Sequence, residues 1–226
     1  MTSLSAVLPA GIDADGAVAL CLPADWCEIL IDDGDDARAH VEQVIHETWP
    51  TCPEHLRAGS VELLLRWQED LLARGTVSHG LVNTWTDDGA PVRWHVLTSV
   101  VRLPEAPDVD LTSVLTQLVA ATGRDVLHVE RFPTDMGLGF GLIAQPEVAA
   151  PALATVPVAP TDGARRLGAA AALAYAPGTG PGLLVVGMSV SPDQVLELAA
   201  LVAVIAGRSR LHLPSEDLSA ETRMQA

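Results

Sequence analysis

Three groups of residues in this chain have types and spacing that could do chemistry. The first is the run His46-Glu47-Thr48-Trp49-Pro50-Thr51-Cys52-Pro53-Glu54-His55. Imidazole and thiolate suit zinc, so His46, Cys52 and His55 are the candidate metal ligands, with His40 upstream. A structural zinc site needs four ligands, commonly as two close pairs. Cys52 and His55 make one such pair. His40 and His46 are six residues apart, and residues so spaced point to different sides of a helix, so they do not clamp an ion as an i, i+4 pair does. The plainer reading is a helix-terminal loop with a small buried cysteine and solvated histidines.

The second group is Gly137-Leu138-Gly139-Phe140-Gly141. A phosphate loop needs a strand before it and a helix N-terminus after it. Here a strand-like run ending at Pro146 follows, so a bulged or twisted strand with close packing is expected instead. The third group is His79 and His95, on the two strands of an expected hairpin. They could approach each other and do acid–base work. With no carboxylate or nucleophile placed beside them, a partly exposed sheet face is the expectation. Asp13, Asp15 and Gly16, and the run Asp32-Asp33-Gly34-Asp35-Asp36, lack the full oxygen-ligand spacing of a calcium loop and read as turns and caps. There is no nucleophile elbow, Walker loop or H-E-x-x-H. No catalytic residue and no cofactor is expected.

Composition narrows the classes further. The chain has 226 residues, 49% hydrophobic and 19% charged. That length can bury roughly 70% of the surface exposed when unfolded, so neither disulfides nor a metal is needed for stability. Net charge is −16, from 29 acidic and 13 basic residues, and every basic residue is arginine. Such an acidic surface repels phosphate backbones, so nucleic acid and membrane insertion are not expected. Abundant Ala, Val, Leu and Arg without Lys reads as a GC-rich bacterial gene of actinobacterial character. Cys21, Cys27 and Cys52 are too few and too irregular for a disulfide framework. The N-terminus has neither a basic region nor a long apolar one, and the amphipathic stretch 195–206 falls short of the ~20 residues a bilayer span needs. A cytoplasmic location is the expectation.

These groups must be positioned by the following elements. Val18–Leu22 and Trp26–Ile31 read as short strands, and the acidic run 32–36 as the start of a helix whose apolar face carries Ala37, Val41, Val44, Ile45, Thr48 and Trp49. A second helix is expected over 57–74, stopped at Gly75. Strands Thr76–Thr86 and Pro91–Leu103 flank Asp87-Asp88-Gly89-Ala90, which is hairpin chemistry. Asp110 to Gly123 reads as a third helix, with Leu111, Val114, Leu115, Leu118 and Val119 in register. Strands follow at 125–132 and 138–145, then a Pro- and Ala-rich connection over 146–163, part of which can pair as an edge strand. Strands Leu167–Ala176 and Leu183–Val190 precede a helix with Ser191 as cap, Pro192 at its first position and Gln194 completing a capping box, ending at Gly207. The fold class is therefore α+β, a largely antiparallel sheet flanked by about four helices. Residues 1–212 are expected to form a single domain, with 213–226 a polar tail.

This order of elements, with LPADWCEILID near the start and GLLVVGMSVSPDQVLELAALVAVIAGRSRL at the end, resembles a group of uncharacterised actinobacterial proteins. Their fold is similar to the PsbP-like superfamily, an antiparallel sheet flanked by helices. The resemblance covers about residues 18–212 and implies a non-catalytic adaptor or assembly role. The leading expectation is an accessory protein with a protein partner, linked to a bacterial envelope or a type VII secretion system. One alternative is a small-molecule- or zinc-binding protein using the 40–55 region. The other is a structural subunit of a homo-oligomer using the 146–190 region.

Overall fold

A computed structural model describes residues 2–4, 17–30, 36–50, 53–85, 91–103, 126–148, 165–177 and 180–212. The elements begin with β1 (Thr2–Leu4), β2 (Ala17–Leu20), β3 (Trp26–Glu28), α1 (Ala37–Thr48) and α2 (Glu54–Ala73). Then come β4 (Thr76–Trp85), β5 (Pro91–Arg102), β6 (Val126–Thr134), β7 (Gly137–Ala144), β8 (Glu147–Val148) and β9 (Arg165–Arg166). The chain continues with β10 (Gly168–Tyr175), β11 (Pro181–Ser189), a single 3-10 turn (Pro192–Gln194), α3 (Val195–Arg208) and β12 (Arg210–His212).

Seven strands form the main sheet in the order β3-β4-β5-β11-β10-β7-β6, and every pairing is antiparallel. Its edges are β3 and β6. Short β1, β2 and β12 make a second sheet, and β8 pairs with β9. Successive strand residues face opposite sides, so neighbours on β4 show what covers each face. Leu81 packs with Ile29, Val41, Val44, Ile45, Val61 and Leu64, under α1 and α2. Val82 packs with Val96, Ala172 and Val185 and, through them, with Leu198, Val202 and Ile205 of α3. The helices thus cover both faces, α1 and α2 at the β3–β4 end and α3 over β10 and β11.

Glycine sets how closely α3 approaches. A Cβ on Gly187 would lie 2.6 Å from Leu198 and 2.8 Å from Val202. On β7, Gly139 leaves room for Phe132 of β6, which a Cβ there would meet at 2.9 Å. The glycine run 137–141 is therefore a strand that accepts a ring lying against it, as expected. Gly75 has φ 79°, a left-handed stop after α2.

Several local expectations are corrected. Among the described residues there are three helices, against about four expected. The helix expected over 110–123 and the tail 213–226 lie outside the described residues, as do Asp32, Asp33, Gly34 and Asp35 of the acidic run. Asp36 makes no side-chain cap bond to α1. Ser191 makes none either, and the capping box does not form. Gln194 is drawn inward, where its Oε1 accepts from Trp94 Nε1 at 3.1 Å and Ser189 Oγ at 3.3 Å. Gly207 does not end α3, which runs to Arg208. Its carbonyl accepts the Asp135 N–H at 2.7 Å, tying the helix to the β6–β7 turn. The pairing expected within 146–163 is β8 against β9, off the main sheet.

Candidate functional site

The sheet edge at β3 holds the most concentrated polar chemistry. Glu28 on β3 is opposite Gly80 on β4. Its Oε1 accepts the backbone N–H groups of His79 at 2.8 Å and Leu30 at 3.2 Å. Its Oε2 accepts Trp26 Nε1 at 2.9 Å and Ser78 Oγ at 2.5 Å. Burial raises the Glu28 pKa, and these four donors partly offset it. Gly80 gives Trp26 its place, since a Cβ there would lie 2.1 Å from the indole.

On the opposite face of β4, His79 Nε2 stands 3.4 Å from His95 Nδ1. The Trp67 ring of α2 lies 6.1 Å from that of His79. His79 is fully buried, and among the described residues its Nδ1 has no partner. Burial, with His95 beside it, pushes its pKa down to about 3, and burial pushes that of His95 down to about 4. The two histidines thus meet as the hairpin register allowed; His79 is closed off under α2, while His95 is half-buried on a partly exposed face.

A hydroxyl hydrogen-bonded to a carboxylate, with two neutral imidazoles nearby, has the parts of an acid–base site. Ser78 and His79 expose nothing to solvent, while Glu28 and His95 are half-buried. Every Glu28 oxygen is already engaged by donors that the fold needs. The cluster anchors β3 to β4.

The residues of the zinc expectation are placed separately. His46 is exposed on α1, and His55 is exposed in the first turn of α2. His40 Nε2 donates to the Glu28 carbonyl at 2.7 Å. Cys52 lies outside the described residues. Among the described residues no three His, Cys, Asp or Glu side chains gather to hold an ion.

The surface feature that periodicity missed lies at the other end of the sheet. α3 has a second apolar face: Leu196 is 66% exposed and Val204 53% exposed, with exposed Ala200 midway between them. They fall at i, i+4 and i+8, one stripe of the helix. Between that stripe and β6 runs a groove of about 220 Å³. Small residues make it: Gly141 on β7, Ala170 and Ala172 on β10, Ala199 and Ala203 on α3, with His128 and Glu130 at the rim. Ala203 also lines a broader depression of about 390 Å³ beside Pro133, Asp135 and Val204. The two adjoin at Ala203, along α3 and β6. The groove is smaller than the ~300–1,000 Å³ common for ligand pockets. On β6, Leu127 and Val129 are exposed as well. The sequence signal was available: α3 is apolar nearly all round, which marks a helix with more than one face to cover.

No protein-family model matches the chain, and no curated protein matches it. Among solved structures it is similar to LpqN, involved in cell envelope biogenesis of Mycobacterium tuberculosis, at 12% identity and a TM-score of 0.43, over 94% of this chain and 90% of that one. It is also similar to cyanobacterial PsbP from Synechocystis, at 11% identity and a TM-score of 0.37, over 94% of each chain. The second of these is a PsbP, the superfamily that element order pointed to, and neither structure carries a partner or an activity across. No helix among the described residues is long and apolar enough to cross a membrane.

Proposed function

We propose that this protein is a non-catalytic accessory protein that acts by contact with other protein chains through the α3–β6 face. One observation carries the reading. The apolar stripe Leu196, Ala200 and Val204 lies exposed beside that groove and a sheet edge. Burying exposed leucine and valine is worth about 1.5–3 kcal/mol each, and contiguous exposure of this kind marks contact surfaces. Of the polar groups that could support catalysis, by contrast, Ser78 and His79 expose nothing to solvent and the Glu28 oxygens are engaged by four donors. A cytoplasmic position at the inner side of an envelope assembly, or of a type VII secretion system, is part of the proposal, and cell fractionation tests it.

The contact role is tested by replacing Leu196 with Asp. The side chain is on the surface, so unfolding stability should stay within about 0.5 kcal/mol of the parent. The stoichiometric partners that the parent recovers in pull-downs from the native host should be lost. If Leu196→Asp recovers the same proteins in the same amounts, or if the parent recovers none, the face is not a contact surface.

A further inference from the structure

The interaction surface leaves the occupant of the β6 edge unnamed, and the strand itself selects one. β6 is the last strand of the sheet, so among the described residues one of its two edges pairs with no further strand. Such an edge is a template for another strand. Its usable length is bounded. The register shifts between Val126 and His128, which is a bulge, and Pro133 has no N–H to give. Between these limits His128, Val129, Glu130 and Arg131 are all exposed.

Alternation puts His128 and Glu130 on the α3 face of the sheet and Val129 and Arg131 on the other. A two-fold antiparallel pairing must keep like faces together, so it is centred on a residue rather than between two. Centring on Glu130 or on Arg131 sets like charges directly opposite, which destabilises a pair. Centring on His128 draws the bulge into the ladder. Centring on Val129 sets His128 of each chain against Glu130 of the other, and Val129 against its own counterpart. Within one chain this imidazole and carboxylate already approach to 3.4 Å.

We propose that β6 pairs antiparallel with β6 of a second copy of this chain, centred on Val129. This rests on the reading of the α3–β6 face as a contact surface. The two-fold axis stands normal to the sheet, so both α3 helices lie on one side and their grooves adjoin across the junction.

Light scattering over a concentration series tests it. The mass is expected to rise from the 23.7 kDa of one chain towards twice that value. Glu130→Arg should weaken association about tenfold, since it acts at two symmetric contacts. The double change His128→Glu with Glu130→Arg sets a carboxylate against a guanidinium in the same register and should restore association. Opposed Cβ atoms in such a pair lie about 5 Å apart. Val129→Cys should therefore form an intermolecular disulfide on mild oxidation. Arg131→Cys, four residues out of register with its own counterpart, should not, and neither should the parent with its own three cysteines. Circular dichroism confirms that each variant keeps its strands. A mass of one chain at every concentration overturns the proposal, as does a Glu130→Arg variant that associates like the parent or a Val129→Cys variant that traps no dimer. Trapping of a foreign chain through Val129→Cys in the host also overturns self-pairing while leaving the contact role intact. The Leu196→Asp pull-down tests that role separately.

Discussion

His79 shows what a single buried side chain does to this molecule. Its pKa is held at about 3 and that of His95 at about 4, against an ordinary value of 6.5. Both folded values lie below the unfolded one, so between about pH 6.5 and 4 the unfolded chain binds more protons. Stability therefore falls as pH drops through that window, and above it neither group contributes. Glu28 works in the opposite sense: its pKa is raised, so its carboxyl costs stability as pH climbs past the ordinary carboxylate range. Replacing His79 with Phe keeps a ring against Trp67 and removes both the unpartnered Nδ1 and one titrating group. His95 is half-buried, so water can take the place of the lost contact. Urea midpoints should place His79→Phe within about 1 kcal/mol of the parent at pH 7 and more stable than the parent at pH 5. Parallel pH slopes for the two proteins would show that the pair does not govern acid sensitivity.

At the level of elements, the seating of α3 on β11 depends on Gly187. Adding one methyl there meets Leu198 and Val202 below van der Waals contact, so Gly187→Ala should cost about 1–3 kcal/mol in thermal unfolding. Gly59, exposed in the middle of α2 with nothing within 4 Å of a Cβ, is the contrast. Gly59→Ala should stabilise by about 0.5–1 kcal/mol through helix propensity alone. Equal effects at the two sites would mean that α3 is not seated where Gly187 requires. The hairpins β4–β5 and β10–β11 were legible because turn residues and alternation act over a few residues. The sheet of β1, β2 and β12 was not, because Arg210–His212 finds Ala17–Leu20 only across the whole chain. The capping box failed for the same reason: Trp94, a hundred residues from Gln194, offers it a buried indole N–H. The stripe Leu196-Ala200-Val204 was visible as letters. Periodicity alone does not say which of two apolar faces a sheet will cover. The meeting of His79 and His95 followed from hairpin register, and the burial of His79 followed from α2, whose docking no local pattern encodes.

Across the whole molecule, charge sets the conditions under which two copies can meet. Each carries −16, so approach at the β6 edge works against long-range repulsion. That repulsion acts through solvent and is screened: the Debye length falls from about 10 Å at 0.1 M salt to about 3 Å at 1 M. The local attractions it opposes are short-ranged, a strand ladder, Val129 against Val129, and two imidazole–carboxylate contacts. Salt weakens the last of these, but backbone hydrogen bonds and apolar burial are screened little. The exposed ion pairs Arg38–Glu62 and Arg210–Asp135 have little to lose, as surface pairs are worth at most about 1 kcal/mol. Raising sodium chloride from about 0.1 M to about 1 M should therefore tighten self-association and raise the unfolding temperature. Sedimentation velocity at matched protein concentrations reads the first effect, and calorimetry reads the second. Association that weakens with salt would put the two His128–Glu130 contacts, rather than the ladder and the valine pair, at the centre of the interface. The Glu130→Arg chain would then lose its salt dependence together with its affinity.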